Sequence, residues 1–204
     1  MDTSHLNHAG AQRFRRLADF LFEAGMLRKT PRSGYQFLGS GCENVAEHSF
    51  RTAIIGYVLA KEAGADIART TLLCLFHDFA EARTGDFNYV NRIYNKTDVK
   101  AALKDASSGT GLSDDLEGFW NELEAEASLE ARLAHDADQL DLILNLKEEL
   151  DLGNQYAGKW LENSLKRLVT KEGITLAKAV VETDHTDWWY LAQSKDWWVK
   201  GRKN

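Results

Sequence analysis

Three observations predict an all-α fold, a single-domain helical bundle of one core, for this 204-residue chain. Six or more segments space their apolar residues three and four apart, no segment reads as a convincing alternating strand, and 44% of the residues are hydrophobic. A chain of this length buries roughly 70% of its unfolded surface, which is enough for one substantial core.

The first helix is expected over Ala9 to Leu27, where Phe14, Leu17, Ala18, Leu21 and Leu27 lie near helical spacing. Arg13, Arg15 and Arg16 occupy the other faces, and Gly25 is a late breaker. The stretch LRKTPRSGYQFLGSGCEN holds the only proline, Pro31, with Gly34, Gly39 and Gly41, and reads as an ordered connection. A second helix is expected over Glu43 to Gly64. Its stripe of Val45, His48, Thr52, Ile55 and Leu59 faces inward, and Gly64 supplies a left-handed stop.

Asp66 caps a third helix whose interior, TLLCLFHDFAEA, is apolar almost all round until His77. Beyond Thr84-Gly85-Asp86 the pattern is mixed, with a short helix expected over Lys96 to Ala106. Ser113, Asp114 and Asp115 open the next one, carrying Leu116, Phe119, Trp120 and Leu123. Ser128 caps a long helix to Asp151, whose stripe is Leu133, Ala137, Leu140 and Leu144. Asp138 and Asp141 border that stripe more closely than Asp136. The last third offers Tyr156, Trp160, Leu165 and Leu168 on one helix, a segment from Leu176 to Val181, and an aromatic tail with Trp188, Trp189, Trp197 and Trp198. Residues 154–204 are assigned to packing or to a homodimer contact.

Bulk properties exclude several classes. No run of some 18 apolar residues is present, and the amino-terminal stretch lacks the apolar core of a secretory signal, so no membrane association and a cytoplasmic location are expected. Cys42 and Cys74 are too few for a disulfide framework and are not spaced for a zinc pair. With 25 basic against 31 acidic side chains, a net charge of -6 argues against a nucleic-acid polymer as partner. An anionic substrate would need local cations.

The chemistry concentrates in LLCLFHDFAEARTGD, Leu72 to Asp86. An adjacent imidazole and carboxylate at the end of a buried run are costly to desolvate, and a metal ion is one compensator. On a continuous helix Glu81 would stand four residues from His77 and three from Asp78, sharing one end of one face. His48, on the inward stripe of the preceding helix, is the natural second histidine. Periodicity leaves His135, Asp136, Asp138 and Asp141 open as sources of a further ligand.

Four ordered stretches, PRSGY, ENVAEHS, LLCLFHDFAEARTGD and DADQLD, resemble the motifs of HD-domain metal-dependent phosphohydrolases, and within them the 5′-deoxynucleotidase group. They span Pro31 to Asp141, so the motif-bearing core is about residues 31–141 of one domain covering 1–204. The resemblance implies His48, His77, Asp78 and Asp138 as metal ligands, with Asp136 and Asp141 in support. It further implies Arg32 as the residue that orients the substrate phosphate, and Glu81 and Asp86 as acids placed for proton transfer and substrate contact. Arg32, Ser33, His48, Asp78, Asp86, Phe87, Asn88, Tyr89 and Asp138 make up the implied substrate-binding set. The chain departs from the group twice: Phe87-Asn88-Tyr89 replaces a turn that often contains proline, and Ser33 stands where some members carry tryptophan.

The activity implied is removal of the 5′-phosphate from (deoxy)nucleoside monophosphates with Mn²⁺ or Co²⁺, while Mg²⁺, Ni²⁺, Zn²⁺ and Fe²⁺ also suit two histidines and two carboxylates. Two competing readings keep the fold: hydrolysis of a dNTP, cyclic nucleotide or alarmone, and a metal-stabilised binding or signalling module without turnover.

Overall fold

The computed structural model describes residues 8–190, and they form an all-α assembly. Its helices are α1 (His8–Ala24), α2 (Val45–Ala63), α3 (Ile67–Phe76), α4 (Glu81–Thr84), α5 (Tyr89–Tyr94), α6 (Val99–Ser107), α7 (Ser113–Ala125), α8 (Leu129–Asp151), α9 (Tyr156–Leu165), α10 (Lys171–Glu182) and α11 (Asp187–Tyr190). Two 3₁₀ turns, Gly25–Lys29 and Ser33–Phe37, lie between α1 and α2. No helix among the described residues is long and apolar enough to cross a membrane.

The long helix α8 is the hub. It packs against α2 and α3 on one side and against α9 and α10 on another, with α7 also in contact. Ala131, Leu133, Ala134, Ala137, Leu140, Ile143 and Leu146 are all buried, so the helix is enclosed well beyond a single stripe. That enclosure corrects the expected order of its carboxylates. Asp136 is as fully buried as Asp141, which borders the core as expected, whereas the Asp138 side chain keeps 30% of its exposure.

On α2 the inward stripe Val45, His48, Thr52, Ile55 and Leu59 is buried throughout. The helix begins two residues later than expected, because Asn44 forms a capping box with Glu47, and it ends at Gly64 with φ 68°. Asp66 caps α3 by accepting from the Arg69 N–H at 2.9 Å, and Ser128 caps α8 through the Ala131 N–H at 3.0 Å.

The connection before α2 is pinned by an isolated antiparallel bridge of Pro31 with Asn44. The Arg32 N–H donates to the Glu43 carbonyl at 2.9 Å, and the Val45 N–H to the Thr30 carbonyl at 3.0 Å. Arg32 is thereby held beside the start of α2. Proline stands at a position that has no N–H to leave unpaired.

α1 turns a different face inward than its leucine spacing predicts. Phe14 and Leu21 are exposed, while Phe20 is buried and stacks on Phe79 at 4.8 Å. Beside it, two partly exposed arginines clasp the α6–α7 loop: Arg13 Nε donates to the Thr110 carbonyl at 2.9 Å and Arg16 Nε to the Ser108 carbonyl at 3.0 Å. Trp188 is largely exposed, and Trp197 and Trp198 lie outside the described residues.

Candidate active site

α3 does not run on through its polar end as expected, but stops at Phe76. The His77 Nδ1 bonds the Cys74 carbonyl at 2.7 Å, the acceptor an uninterrupted helix would offer to the Asp78 N–H. The next backbone bonds span three residues: the Phe79 N–H donates to the Phe76 carbonyl at 3.1 Å and the Glu81 N–H to the Asp78 carbonyl at 3.0 Å. His77 and Asp78 therefore project from a tight turn between α3 and α4.

That turn faces α2 and α8. His48 Nε2 lies 3.1 Å from His77 Nε2, 3.1 Å from Asp138 Oδ1 and 3.5 Å from Asp78 Oδ2. His77 Nε2 is 3.1 Å from Asp78 Oδ2 and 3.9 Å from Asp138 Oδ1. Four side chains separated by up to 90 positions in sequence thus point nitrogen or oxygen atoms at one place.

Both rings have their tautomer set from behind. His48 Nδ1 lies 2.6 Å from Asp141 Oδ2, and His77 Nδ1 bonds the Cys74 carbonyl, so each Nδ1 must donate. In neutral rings the two Nε2 lone pairs then face each other and two carboxylates. A cation resolves that repulsion, and the set of two imidazoles and two carboxylates suits a first-row divalent ion. In the ion-free protein a proton takes that part. Burial opposes charging His48, but the hydrogen bonds it donates to Asp138 and Asp141 outweigh that and lift the imidazole to about 10. His77 is likewise raised, with burial opposing and Asp78 prevailing. Asp78 and Asp138 are driven below the usual carboxylate range against their burial, by His77 and His48 respectively.

Around this centre, Arg32 Nη1 reaches Asp78 Oδ2 at 3.1 Å. Glu81 is close by, with Oε2 buried and unpartnered among the described residues. Burial first, then the charges of Asp78 and Asp86, push its carboxyl up to about 9. Asp86 accepts at Oδ2 from the Ser33 N–H at 2.6 Å and the Ser33 hydroxyl at 3.3 Å. Ser33 is buried behind Asp86 and does not line the cleft. Asn88 spends its carboxamide oxygen on the N–H groups of Val90 and Asn91, so it serves mainly to hold α5 in place.

A cleft of about 130 Å³ opens from Arg32, Asp78 and Asp138 towards Asp86, Phe87, Asn88 and Tyr89. On the other side of Asp78 and Asp138 a hollow of about 420 Å³ is lined by Glu81, Glu124, Glu126 and His135. His135 turns its Nδ1 to Asp136 at 3.1 Å, and Asp136 accepts the N–H groups of Val169 and Thr170, so neither stands in the converging set.

The cleft also uses residues that motif reading missed. Tyr35, Gln139, Asn145, Trp160 and Arg167 line it, the last two from the segment assigned to packing. Glu43 lines it as well, and Arg51 stands behind that wall. Arg51 Nε bonds Asp141 Oδ1, and Glu43 accepts from Asn145 Nδ2 at 3.1 Å. Tyr35, Glu43 and Gln139 stand inside the stretches PRSGY, ENVAEHS and DADQLD, and Arg51 stands three residues after His48 and so on a neighbouring part of the same helix face, whereas Trp160 and Arg167 lie outside every motif.

This fold, with a His-Asp turn facing a histidine of α2 and an aspartate of α8, defines a class. A family profile described as HD domain matches residues 24–178, and the chain belongs to that family. Within it the chain falls in the 5′-deoxynucleotidase-like group. It is 31% identical over 173 residues to the 5′-deoxynucleotidase HDDC2 of Bos taurus, covering 77% of this chain and 84% of the bovine one. Among solved structures it resembles a conserved hypothetical protein from Pyrococcus furiosus, with a TM-score of 0.70 and 25% identity over 81% of this chain and 99% of that one. It also resembles a predicted metal-dependent phosphohydrolase from Magnetospirillum magnetotacticum MS-1, with a TM-score of 0.61 and 25% identity over 84% and 92% of the two chains.

Proposed function

We propose that the protein is a divalent-metal-dependent phosphohydrolase that removes the 5′-phosphate from nucleoside monophosphates, deoxynucleotides in particular, releasing nucleoside and orthophosphate. The observation that carries this reading is the convergence of His48, His77, Asp78 and Asp138 beside Arg32 at the inner end of a cleft. The names of the bovine and Magnetospirillum relatives support the same chemistry.

His48, His77, Asp78 and Asp138 would hold the ion, with Mn²⁺ or Co²⁺ the expected occupants. When bound, it would supply water of lowered pKa and withdraw charge from the phosphoryl oxygens. The remaining tasks fall to the chain itself. Arg32 orients the phosphate through its planar fork of donors, which a lysine could not reproduce. Glu81, protonated near neutral pH in its buried setting, gives a proton to the departing 5′ oxygen. Asp86, fixed at Oδ2 by Ser33, has its other oxygen available to a sugar hydroxyl. Phe87 and Tyr89 provide apolar and aromatic surface for the nucleoside.

The test is phosphate release from a panel of ribo- and deoxyribonucleoside monophosphates with added Mn²⁺ or Co²⁺, set beside dNTPs, cyclic nucleotides and alarmones. Wild type is expected to hydrolyse the monophosphates and Asp78→Ala to lose turnover. Unchanged turnover in that variant overturns the reading.

A further inference from the structure

Among the four residues that converge at the centre, Asp138 is the most open. Its side chain is 30% exposed, against 0% for His48, 14% for His77 and 19% for Asp78. A carboxylate that free needs something to stop it turning away. Its Oδ1 faces His48 Nε2 at 3.1 Å, and its Oδ2 is held from behind, accepting from Gln139 Nε2 at 2.8 Å.

Gln139 is itself held. Its Oε1 accepts from Arg167 Nη1 at 3.3 Å, and the same Nη1 bonds the Tyr89 hydroxyl while the guanidinium lies 4.8 Å from the Tyr89 ring centroid. The chemistry of the two ends allows only one amide orientation. A carboxylate can only accept and a guanidinium can only donate, so the amide must present nitrogen to Asp138 and oxygen to Arg167. Arg167 sits in the turn between α9 and α10, where its N–H donates to the Ser164 carbonyl at 3.1 Å.

We propose that Gln139 and Arg167 are positioning residues, a relay in which Gln139 turns one Asp138 oxygen to the metal position and Arg167 fixes the Gln139 amide. Both act through Asp138 and neither touches the ion. The carboxy-terminal segment thereby sets metal affinity as well as lining the cleft. The inference rests on the metal-binding reading above, but its test reads metal uptake and needs no turnover.

The full chain, stripped of metal with a chelator, is titrated with Mn²⁺ while free ion is followed by electron paramagnetic resonance. Gln139→Leu is expected to weaken Mn²⁺ binding by about 10- to 100-fold, the usual cost of losing a residue that orients a ligand. Gln139→Glu, of the same shape but bearing a like charge against Asp138, gives a second weakened variant should the leucine disturb folding. Arg167→Met is expected to lose affinity by a smaller factor and Arg167→Lys, which keeps a donor, to regain part of it. The double variant Gln139→Leu with Arg167→Met binds no more weakly than Gln139→Leu alone, because Arg167 acts only through the amide. Thermal melts of the metal-free proteins separate this from a loss of fold. Affinity within about twofold of wild type in both Gln139 variants, or an Arg167→Met loss that multiplies in full on Gln139→Leu, overturns the relay. Failure of wild type to take up Mn²⁺ overturns the metal reading and the relay with it.

Discussion

His48 Nε2 and His77 Nε2 face each other at 3.1 Å, each ring tied at its far nitrogen to an acceptor that fixes it in place. If the proposed divalent ion binds here, it competes with protons for the same two nitrogens. In the metal-free protein the His48 imidazolium, raised from 6.5 to about 10, contributes stability that is fully present below pH 6.5 and is lost as pH rises through about 10. Metal binding runs the other way. Mn²⁺ affinity should rise with pH across that window, and uptake should release protons, measured by titration calorimetry in buffers of different ionisation enthalpy. A pH-independent affinity with no proton release would contradict this account of the pair.

Glu81 should be separable from metal binding. Glu81→Gln preserves the size and neutrality of the protonated acid, so fold and metal content are expected to survive while kcat falls by about 10²- to 10⁴-fold. Elemental analysis beside steady-state kinetics checks both halves. A turnover within about tenfold of wild type removes Glu81 from proton transfer.

Gly173 should resist substitution for a reason unrelated to catalysis. A Cβ there would press on the Asp136 carboxylate, with Cγ at 2.9 Å, and that carboxylate accepts the Thr170 N–H at 2.8 Å and the Thr170 hydroxyl at 2.5 Å. Gly173→Ala is expected to destabilise by about 1–3 kcal/mol through overpacking. Urea denaturation reads the loss as a lower midpoint.

Gly34 tests the wall of the cleft. A Cβ on it would lie 2.7 Å from Cη2 of Trp160, so Gly34→Ala should displace the indole while leaving His48, His77, Asp78 and Asp138 alone. The expected signature is KM raised severalfold with kcat little changed, the mark of lost uniform binding. A fall in kcat with KM unchanged would place Trp160 outside substrate binding.

The parts of this protein legible in its sequence are those governed by neighbours along the chain. The α2 stripe, the caps at Asp66 and Ser128 and the stop at Gly64 follow from local periodicity and hydrogen bonding. The His-Asp pair was visible as residues but not as a turn, because the break depends on His77 folding back onto Cys74. α1 differs from its periodicity because Arg13 and Arg16 turn the helix by bonding carbonyls at Thr110 and Ser108, contacts that a hydrophobicity pattern does not register. Asp136 misled because α8 is enclosed on several sides, which erases the stripe used to rank it. Trp160 and Arg167 reach the cleft by tertiary packing alone and carry no short motif.

Three carboxylates of α8 hold three different things. Asp136 clasps the start of α10, Asp138 faces His48 Nε2 and Asp141 backs His48 Nδ1. At about 100° per residue, a slip of α8 by one position would swing all of them off their targets together. The helix is thus a keyed shaft: its angular setting is checked by three locks at once. A chain misregistered at α8 would lose the backing of His48 and the carboxy-terminal clasp together.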